Sequence, residues 1–375
     1  MSNKRAMVAI VVAAIAAIAM VVLAAVALLQ PRPEAPGDGG TIVANGTEPA
    51  PKEVVGVVSA RSAFPFVQRW ASQYNNDENA LGSIELNYYL ERPNALGDLM
   101  IIEDVRHAAS GSHNIPVSAQ AAAIVYNIPS FPDVPSGLKL NATILSSILD
   151  GTVTRWNDPA IRDLNQNLNL PAERIVVVHE NRNSSTLALL ERYLSAEEDN
   201  NIIRWPDNSV GVIGPDELAA TVRQTPYSIG YVDFSYATQT RMTFAAVANS
   251  HGEYILPSAD SIWQAVNSSM QVQNITGVIN QAAAIPPFLN ASMFGNGSYP
   301  LTGLYYASLP GDDDMLEDTT KNATLDFVKW MIDRDNGQQT LSEVQYPAIY
   351  QDNGPLARYA EAVINSTAAR VSKDQ

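Results

Sequence analysis

Beyond residue 53 the chain alternates between short apolar, β-branched runs and stretches whose apolar residues return every three or four positions, the signatures of strand and amphipathic helix. Val54 to Val58 predicts a strand, Phe64 to Tyr74 a helix behind a polar loop at Ser59 to Ser62, and Ser83 to Leu90 alternates as a strand does. Leu96 to Val105 predicts a helix, and a loop of small residues, His107 to Ser112, leads into a buried strand at Ala121 to Ile128. Ala142 to Leu149 predicts a helix closed by Gly151, and Trp156-Asn157-Asp158-Pro159 a turn that starts another helix over Pro159 to Leu164. Strands alternating with helices predict a mostly parallel sheet, with ligands at the carboxyl ends of its strands.

The most informative stretch is VVVHENRNSSTLALLERYLS, residues 176 to 195. Val176 to Val178 predicts a buried strand; Leu187, Leu190 and Leu194 lie at helical spacing, and Asn183 or Ser184 supplies the N-cap. The first amides of such a helix, at Ser184, Ser185 and Thr186, have no intrahelical acceptor, and the positive end of the helix dipole favours an anion there. An ordinary capped helix after a strand carries the same pattern, so this stretch alone does not decide.

Composition narrows the classes. With 375 residues, 46% of them hydrophobic, the chain can bury a large core in one large or two medium domains. A net charge of −16 argues against a nucleic-acid partner, because backbone phosphates would be repelled, whereas a small anion in a local nest of amides is compatible with it. The absence of cysteine excludes disulfides, thiolate metal sites and a cysteine-anchored lipid.

Compartment is read from the N-terminus. Lys4 and Arg5 precede about 23 uncharged residues, Ala6 to Leu28, enough helix to span about 30 Å of hydrocarbon. Residues 1 to 29 are therefore expected to be a transmembrane anchor with its N-terminus in the cytoplasm and the folded part outside. No clear small-residue cleavage site with a polar flank follows, which favours an uncleaved single-pass anchor over a removed signal peptide. Lys4-Arg5-Ala6-Met7-Val8 also resembles the processing site of archaeal prepilin-like signal peptides. Residues 30 to 52, rich in Pro and Gly, read as a tether. Sequons at Asn45, Asn141, Asn183, Asn267, Asn274, Asn290, Asn296, Asn322 and Asn365 agree with an external, glycosylated domain.

Three segments carry a family resemblance: LKLNATILSSILDGTVTRWNDPAI from Leu138, LNLPAERIVVVH ending at His179, and QTPYSIGYVDFSYA over Gln224 to Ala237. They closely resemble the phosphate-binding proteins of ABC-type phosphate importers. The likeness continues more weakly through Ile255 to Val266, Ser298 to Leu309 and a helix at Thr324 to Asp335, covering roughly residues 54 to 360. The resemblance implies an α/β, two-lobed periplasmic-binding-protein-like fold of type II. Its first lobe would comprise residues 54 to 127 with 245 to 375, its second residues 128 to 244, with an anion held between them. It also implies ABC permease subunits as partners, and neither a cofactor nor an enzymatic activity.

The family holds phosphate with amides, hydroxyls, one Arg and Asp carboxylates that accept the ligand's proton, and this chain departs from that pattern. A family segment resembling H-R-x-D-G-S-G-T aligns with His179 to Thr186; Ser184 and Thr186 match, while Glu180 stands at the Arg position and Arg182 at the Asp position. The family's Thr-Phe aligns with Ala63-Phe64, with Ser62 adjacent. Its A-S-D aligns with Ala109-Ser110-Gly111, which loses a carboxylate. Its Gly/Ser-rich loop aligns with Glu91 to Ala95, where Pro93 removes an amide donor. The resemblance thus implies Ser62, Phe64, Ser110, Arg182, Ser184, Ser185 and Thr186 as ligand-binding candidates. Glu180 and Arg182 share a face of an extended segment and would either pair with each other or leave Arg182 to contact the anion.

The four histidines lack metal-ligand spacing, Asp312-Asp313-Asp314 lacks the Gly and Glu of a calcium loop, and no nucleophile elbow appears. The sequence therefore points to a membrane-tethered, extracytoplasmic binding protein for an anion that need not be phosphate. A non-binding accessory or scaffold protein of the same fold is the alternative.

Overall fold

The computed structural model describes residues 52–89, 97–103, 108–109, 111–129, 137–195, 203–272, 289, 294–311 and 317–371. The expected anchor, the expected tether up to residue 51, the loop at Glu91 to Ala95, Ser110 and the acidic run at 312–314 lie outside the described residues. Among the described residues no helix is long and apolar enough to cross a membrane.

In chain order, β1 (Glu53–Ala60) is followed by α1 (Phe64–Asn75), β2 (Gly82–Tyr89), β3 (Leu99–Ile102) and the long β4 (His113–Asn127). Then come β5 (Lys139–Leu140), α2 (Ala142–Leu149), α3 (Pro159–Leu164), β6 (Val176–Glu180), α4 (Ser185–Ser195), β7 (Val210–Val212) and α5 (Pro215–Gln224). Next are β8 (Ser228–Asp233), α6 (Phe234–Gln239), β9 (Ala246–Ala248), β10 (Tyr254–Ile255), α7 (Ala259–Val272) and β11 (Thr302–Leu309). The chain ends in α8 (Asp318–Ile332), a π-helical turn (Arg334–Gln338), α9 (Gln339–Glu343) and α10 (Pro355–Val371).

One eight-stranded sheet, ordered β2-β1-β3-β11-β4-β8-β6-β7, runs through the fold, and a three-stranded sheet, β10-β9-β5, flanks it. β4 belongs to both halves of the larger sheet. Its first residues, His113 to Ala121, pair antiparallel with β11, and Ala122 to Asn127 pair antiparallel with β8. β1 and β3 run parallel to each other on one side, β6 and β8 on the other. Following the registers, the carboxyl ends of β3 and β8 both point toward the middle of β4: Asp233 pairs with Ala122, and the Gln120 amide donates to the Glu103 carbonyl just past β3. A second strand-like passage lies alongside, with the Ala245 amide on Ile124 O at 2.8 Å and the Tyr126 amide on Thr243 O at 3.1 Å. The chain thus crosses between the halves twice, side by side.

Three expectations are corrected. Leu96 to Val105 is not helical: Leu99–Ile102 is a strand whose four residues are all buried, between β1 and β11. A continuous apolar run has no period to separate a doubly covered strand from a buried helix. β4 begins at His113, eight residues before the expected start at Ala121. Pro116 hides this, since proline demotes a strand reading; here it lies where the register shifts between Tyr305 and Tyr306, and a bulge tolerates it. The helix expected over Thr324 to Asp335 starts at Asp318 and stops at Ile332. Asp333 turns extended (φ −68°, ψ 135°) and caps the following π-helical turn by accepting from the Asp335 amide.

The remaining elements follow their local chemistry. Asn141 accepts from the Ile144 amide at 2.9 Å and Asp158 from the Ala160 amide at 2.9 Å, so α2 and α3 begin as their capping residues dictate. Gly151 adopts φ 80° just beyond α2, the left-handed conformation glycine takes at a helix end. Gly303 lets α4 approach β11, because a Cβ there would lie 2.9 Å from a Leu189 methyl.

Gln338 ties the C-terminal segment to β4. Its amide donates to Val117 O at 2.9 Å and Met331 O at 2.8 Å, and its oxygen accepts from the amides of Ile349 at 2.9 Å and Tyr350 at 3.2 Å. All are buried, so Gln338→Leu strands several polar groups, each worth about 1–3 kcal/mol. Urea denaturation should show a loss of about 3 kcal/mol or more; a loss under about 1 kcal/mol would mean that water replaces the side chain.

Candidate functional site

Four segments meet where the strand ends converge. The first is the turn after β1, which carries Ser62 into the start of α1. The second is Glu103, immediately after β3. The third is the end of β6, Glu180, with Ser184 and Ser185 at the start of α4. The fourth is Asp233, which ends β8 and caps α6.

Glu103 binds these segments together. One of its carboxylate oxygens accepts from Ser185 Oγ at 2.8 Å and also from Ser62 Oγ. A single carboxylate therefore bridges the hydroxyls that introduce α1 and α4, one from each half of the sheet. Across from it, Glu180 is buried, its backbone amide donates to Tyr231 Oη at 3.2 Å, and its carboxylate accepts from Ser184 Oγ. Ser184 is the N-cap of α4, since its Oγ accepts from the Leu187 amide at 3.1 Å. Ser185 and Thr186 are then the first amides of the helix, which have no internal acceptor.

The electrostatics are those of crowded carboxyl groups. Burial pushes the Glu180 carboxyl above the usual range, the Ser184 hydrogen bond opposes this, and the charge of Glu103 adds to it. Asp233 is pushed up to about 7, by burial first, against the lowering effect of the Tyr236 and Ser235 amides it caps and with Glu103 raising it further. No lysine or arginine is among the groups that set either carboxyl. Tyr305, on β11, is fully buried; that burial, foremost, and then Asp233, Tyr346 and Glu103 raise its hydroxyl well above the usual range, against the lowering effect of the neighbouring Ser62 hydroxyl. Tyr346 Oη donates to the Ser62 carbonyl at 2.7 Å and closes that side.

The sequence candidates fall differently. Ser62, Ser184 and Ser185 are in the cluster, and Thr186 follows on the first turn of α4. Phe64 begins α1, but its amide donates to Arg61 O at 3.2 Å and its ring packs edge-on against Tyr88 at 5.1 Å. Arg182 is exposed on the bend after β6, while Glu180 turns inward to Ser184, so these two do not share the extended face expected of them: the strand ends at Glu180. Glu103, Asp233 and Tyr305 were missed. A carboxylate absent from the candidates, Glu103, stands in the cluster just past the end of β3 at Ile102. At the rim, Arg61 and Asp216 form an exposed ion pair at 3.0 Å between the turn before α1 and the first turn of α5.

A family description, the PBP (periplasmic-binding-protein) superfamily domain, matches residues 95–335. The chain belongs to the PBP superfamily. Among proteins of this superfamily, a phosphate-binding protein of Xylella fastidiosa (strain Temecula1) is 27% identical over 327 residues, covering 80% of this chain and 84% of its own. One from Mycobacterium bovis (strain BCG) is 31% identical over 207 residues, 52% of each chain. The crystal structure of a human phosphate-binding apolipoprotein has a TM-score of 0.56 at 12% identity, covering 83% of this chain and 94% of its own, a likeness of fold alone. The PBP-like two-lobed α/β fold and a non-enzymatic, solute-binding role follow from membership in the superfamily.

The raised Asp233 carboxyl makes stability depend on pH in a definite sense. Its folded value, about 7, lies above its ordinary 3.8, so between those limits the folded chain holds a proton that the unfolded chain has released. Stability contributed by this group is full below about pH 4, falls as pH rises through the window, and levels off above it. Asp233→Asn keeps the capping oxygen and should flatten most of that decline, leaving the variant more stable than wild type at about pH 8 and similar near pH 4. Parallel denaturation curves for the two proteins across this range would contradict the assignment.

Proposed function

We propose that the chain is the extracytoplasmic solute-binding component of a phosphate-type ABC importer and that it takes phosphate at the convergence of β1, β3, β6 and β8. The observation that carries this reading is the bridge at Glu103. Hydroxyls leading two separate helices, Ser62 and Ser185, already meet on one anionic oxygen, so the site is organised to hold oxyanion oxygens at two helix starts. Carboxylates beside those hydroxyls accept the proton of a protonated anion and are unpaired by an anion that lacks one, which selects against sulfate. The phosphate-binding relatives support this ligand over another anion.

The lobes are taken as residues 54 to 127 with 245 to 375, and 128 to 244. β4 and the passage at 243–245 serve as the hinge, and closure brings Ser62 and Glu103 against Ser185. The apolar stretch Ala6 to Leu28 is taken as a single-pass anchor that keeps the binding domain outside the membrane and near permease subunits, with the sequons facing the same compartment.

Calorimetric titration of the chain from Glu53 onward should show phosphate binding and no sulfate binding. Ser185→Ala, which removes a hydroxyl next to Glu103, should weaken phosphate by about 10-fold or more. Flat titrations with every oxyanion would overturn the reading in favour of an accessory or scaffold role.

A further inference from the structure

The N-x-S/T motifs carry a chemistry of their own: an asparagine amide accepts a saccharide when a hydroxyl stands two residues on. Asn141 is half-buried and its Oδ1 caps α2, and Asn267 Oδ1 accepts from the Gln271 amide at 3.3 Å. Asn183, Asn296, Asn322 and Asn365 are exposed. Of these, Asn322 has surroundings that give a saccharide something to cover.

Asn322 lies on the second turn of α8. Two residues before it, Thr320 Oγ1 donates to Glu53 Oε1 at 2.6 Å, so this part of α8 stands at the amino end of β1. Ala323 faces the start of β2, where a Cβ on Gly82 would lie 3.0 Å from the Ala323 methyl. Asp326, one turn after Asn322 on the same flank, accepts from the Leu81 amide at 3.2 Å and from Tyr74 Oη at 2.7 Å. Asn322 therefore borders the point where β1 enters the fold and β2 begins. β2 is an edge of the eight-stranded sheet, and Leu81 just before it is 58% exposed. An open strand edge with an apolar side chain beside it invites pairing with another chain. The ligand site lies past the other end of β1, about 23 Å away at about 3.3 Å per residue.

The hydroxyl of the motif sets when the saccharide is added. Thr324 is fully buried, and its Oγ1 donates to Thr320 O at 2.7 Å. Positions two apart on a helix differ by about 200°, so α8 turns Asn322 outward and Thr324 into the core. An enzyme that reads amide and hydroxyl together finds both only before α8 packs.

We infer that Asn322 is an N-glycosylation site, modified before α8 packs, and that its saccharide covers Leu81 and the free edge of β2. In the step, Asn322 Nδ2 gives up a proton and bonds to the anomeric carbon of a lipid-linked saccharide, whose phosphate-bearing carrier leaves with the electrons of the broken C–O bond. Attachment at the amino end of β1 keeps the saccharide clear of the ligand site. The inference rests on the extracytoplasmic placement proposed above and not on the identity of the ligand.

The test uses the full chain from the cells that make it, after protease treatment of intact cells has shown on which side the folded domain lies. Mass spectrometry of the peptide carrying residues 322–324 should find a saccharide on Asn322. Asn322→Gln and Thr324→Val should lose it, and Thr324→Ser should keep it. Given a transferase and a lipid-linked saccharide, full chain folded without modification should be a poorer acceptor than a peptide of residues 317–328, by about tenfold or more. Asn322→Gln should self-associate at about fivefold lower concentration than the glycosylated chain, with phosphate affinity unchanged, and adding Leu81→Ser should restore the monomer. An external domain with Asn322 bare, equal modification of folded chain and peptide, or an Asn322→Gln protein as monomeric as wild type would overturn this inference and leave the proposed function intact. A domain shielded from external protease, with Asn322 bare, would overturn both.

Discussion

The site depends on one strand being shared. Because β4 is long enough to pair with β11 along its first residues and with β8 along its last, the two halves of the sheet meet head to head, and the carboxyl ends of their parallel strands face one another. Each parallel strand end passes into a turn or a helix start. Side chains at those ends, Ser62, Glu103, Glu180 and Asp233, are therefore carried to one place by backbone pairing before any specific contact between them forms. The second passage at 243–245 doubles the connection between the two halves of the sheet.

At that convergence, charge and burial are set against each other. Carboxyl groups that have lost water prefer to be neutral or to accept strong hydrogen bonds, and here the serines supply those bonds to Glu103 and Glu180 while the α6 amides supply them to Asp233. Among the described residues, hydroxyls and amides supply hydrogen bonds to these carboxyls.

Much of the framework was legible in the residues. Ser184 stands before leucines at helical spacing, and it caps α4; Asn141 and Asp158 announce α2 and α3 in the same way. The site was legible only in part, for one physical reason. Leu99–Ile102 is buried on both faces, so its apolar run lacks the alternation that marks a strand end, and Glu103 was read inside a helix. Asp233, at the end of the SIGYVD strand, stands before a short helix, a pattern that helix capping alone suffices to explain. Tyr305 had none, since its role depends on contacts from residues far away in the chain.

The most direct measurement is a crystal structure of the chain from Glu53 onward grown with phosphate at mildly acidic pH. The account predicts phosphate among Ser62, Ser185, Glu103 and Glu180, with Glu103 shifted to share its acceptor oxygen with the ligand. Phosphate bound elsewhere, or Glu103 still bridging Ser62 and Ser185 with no phosphate beside it at saturating concentration, would contradict the account.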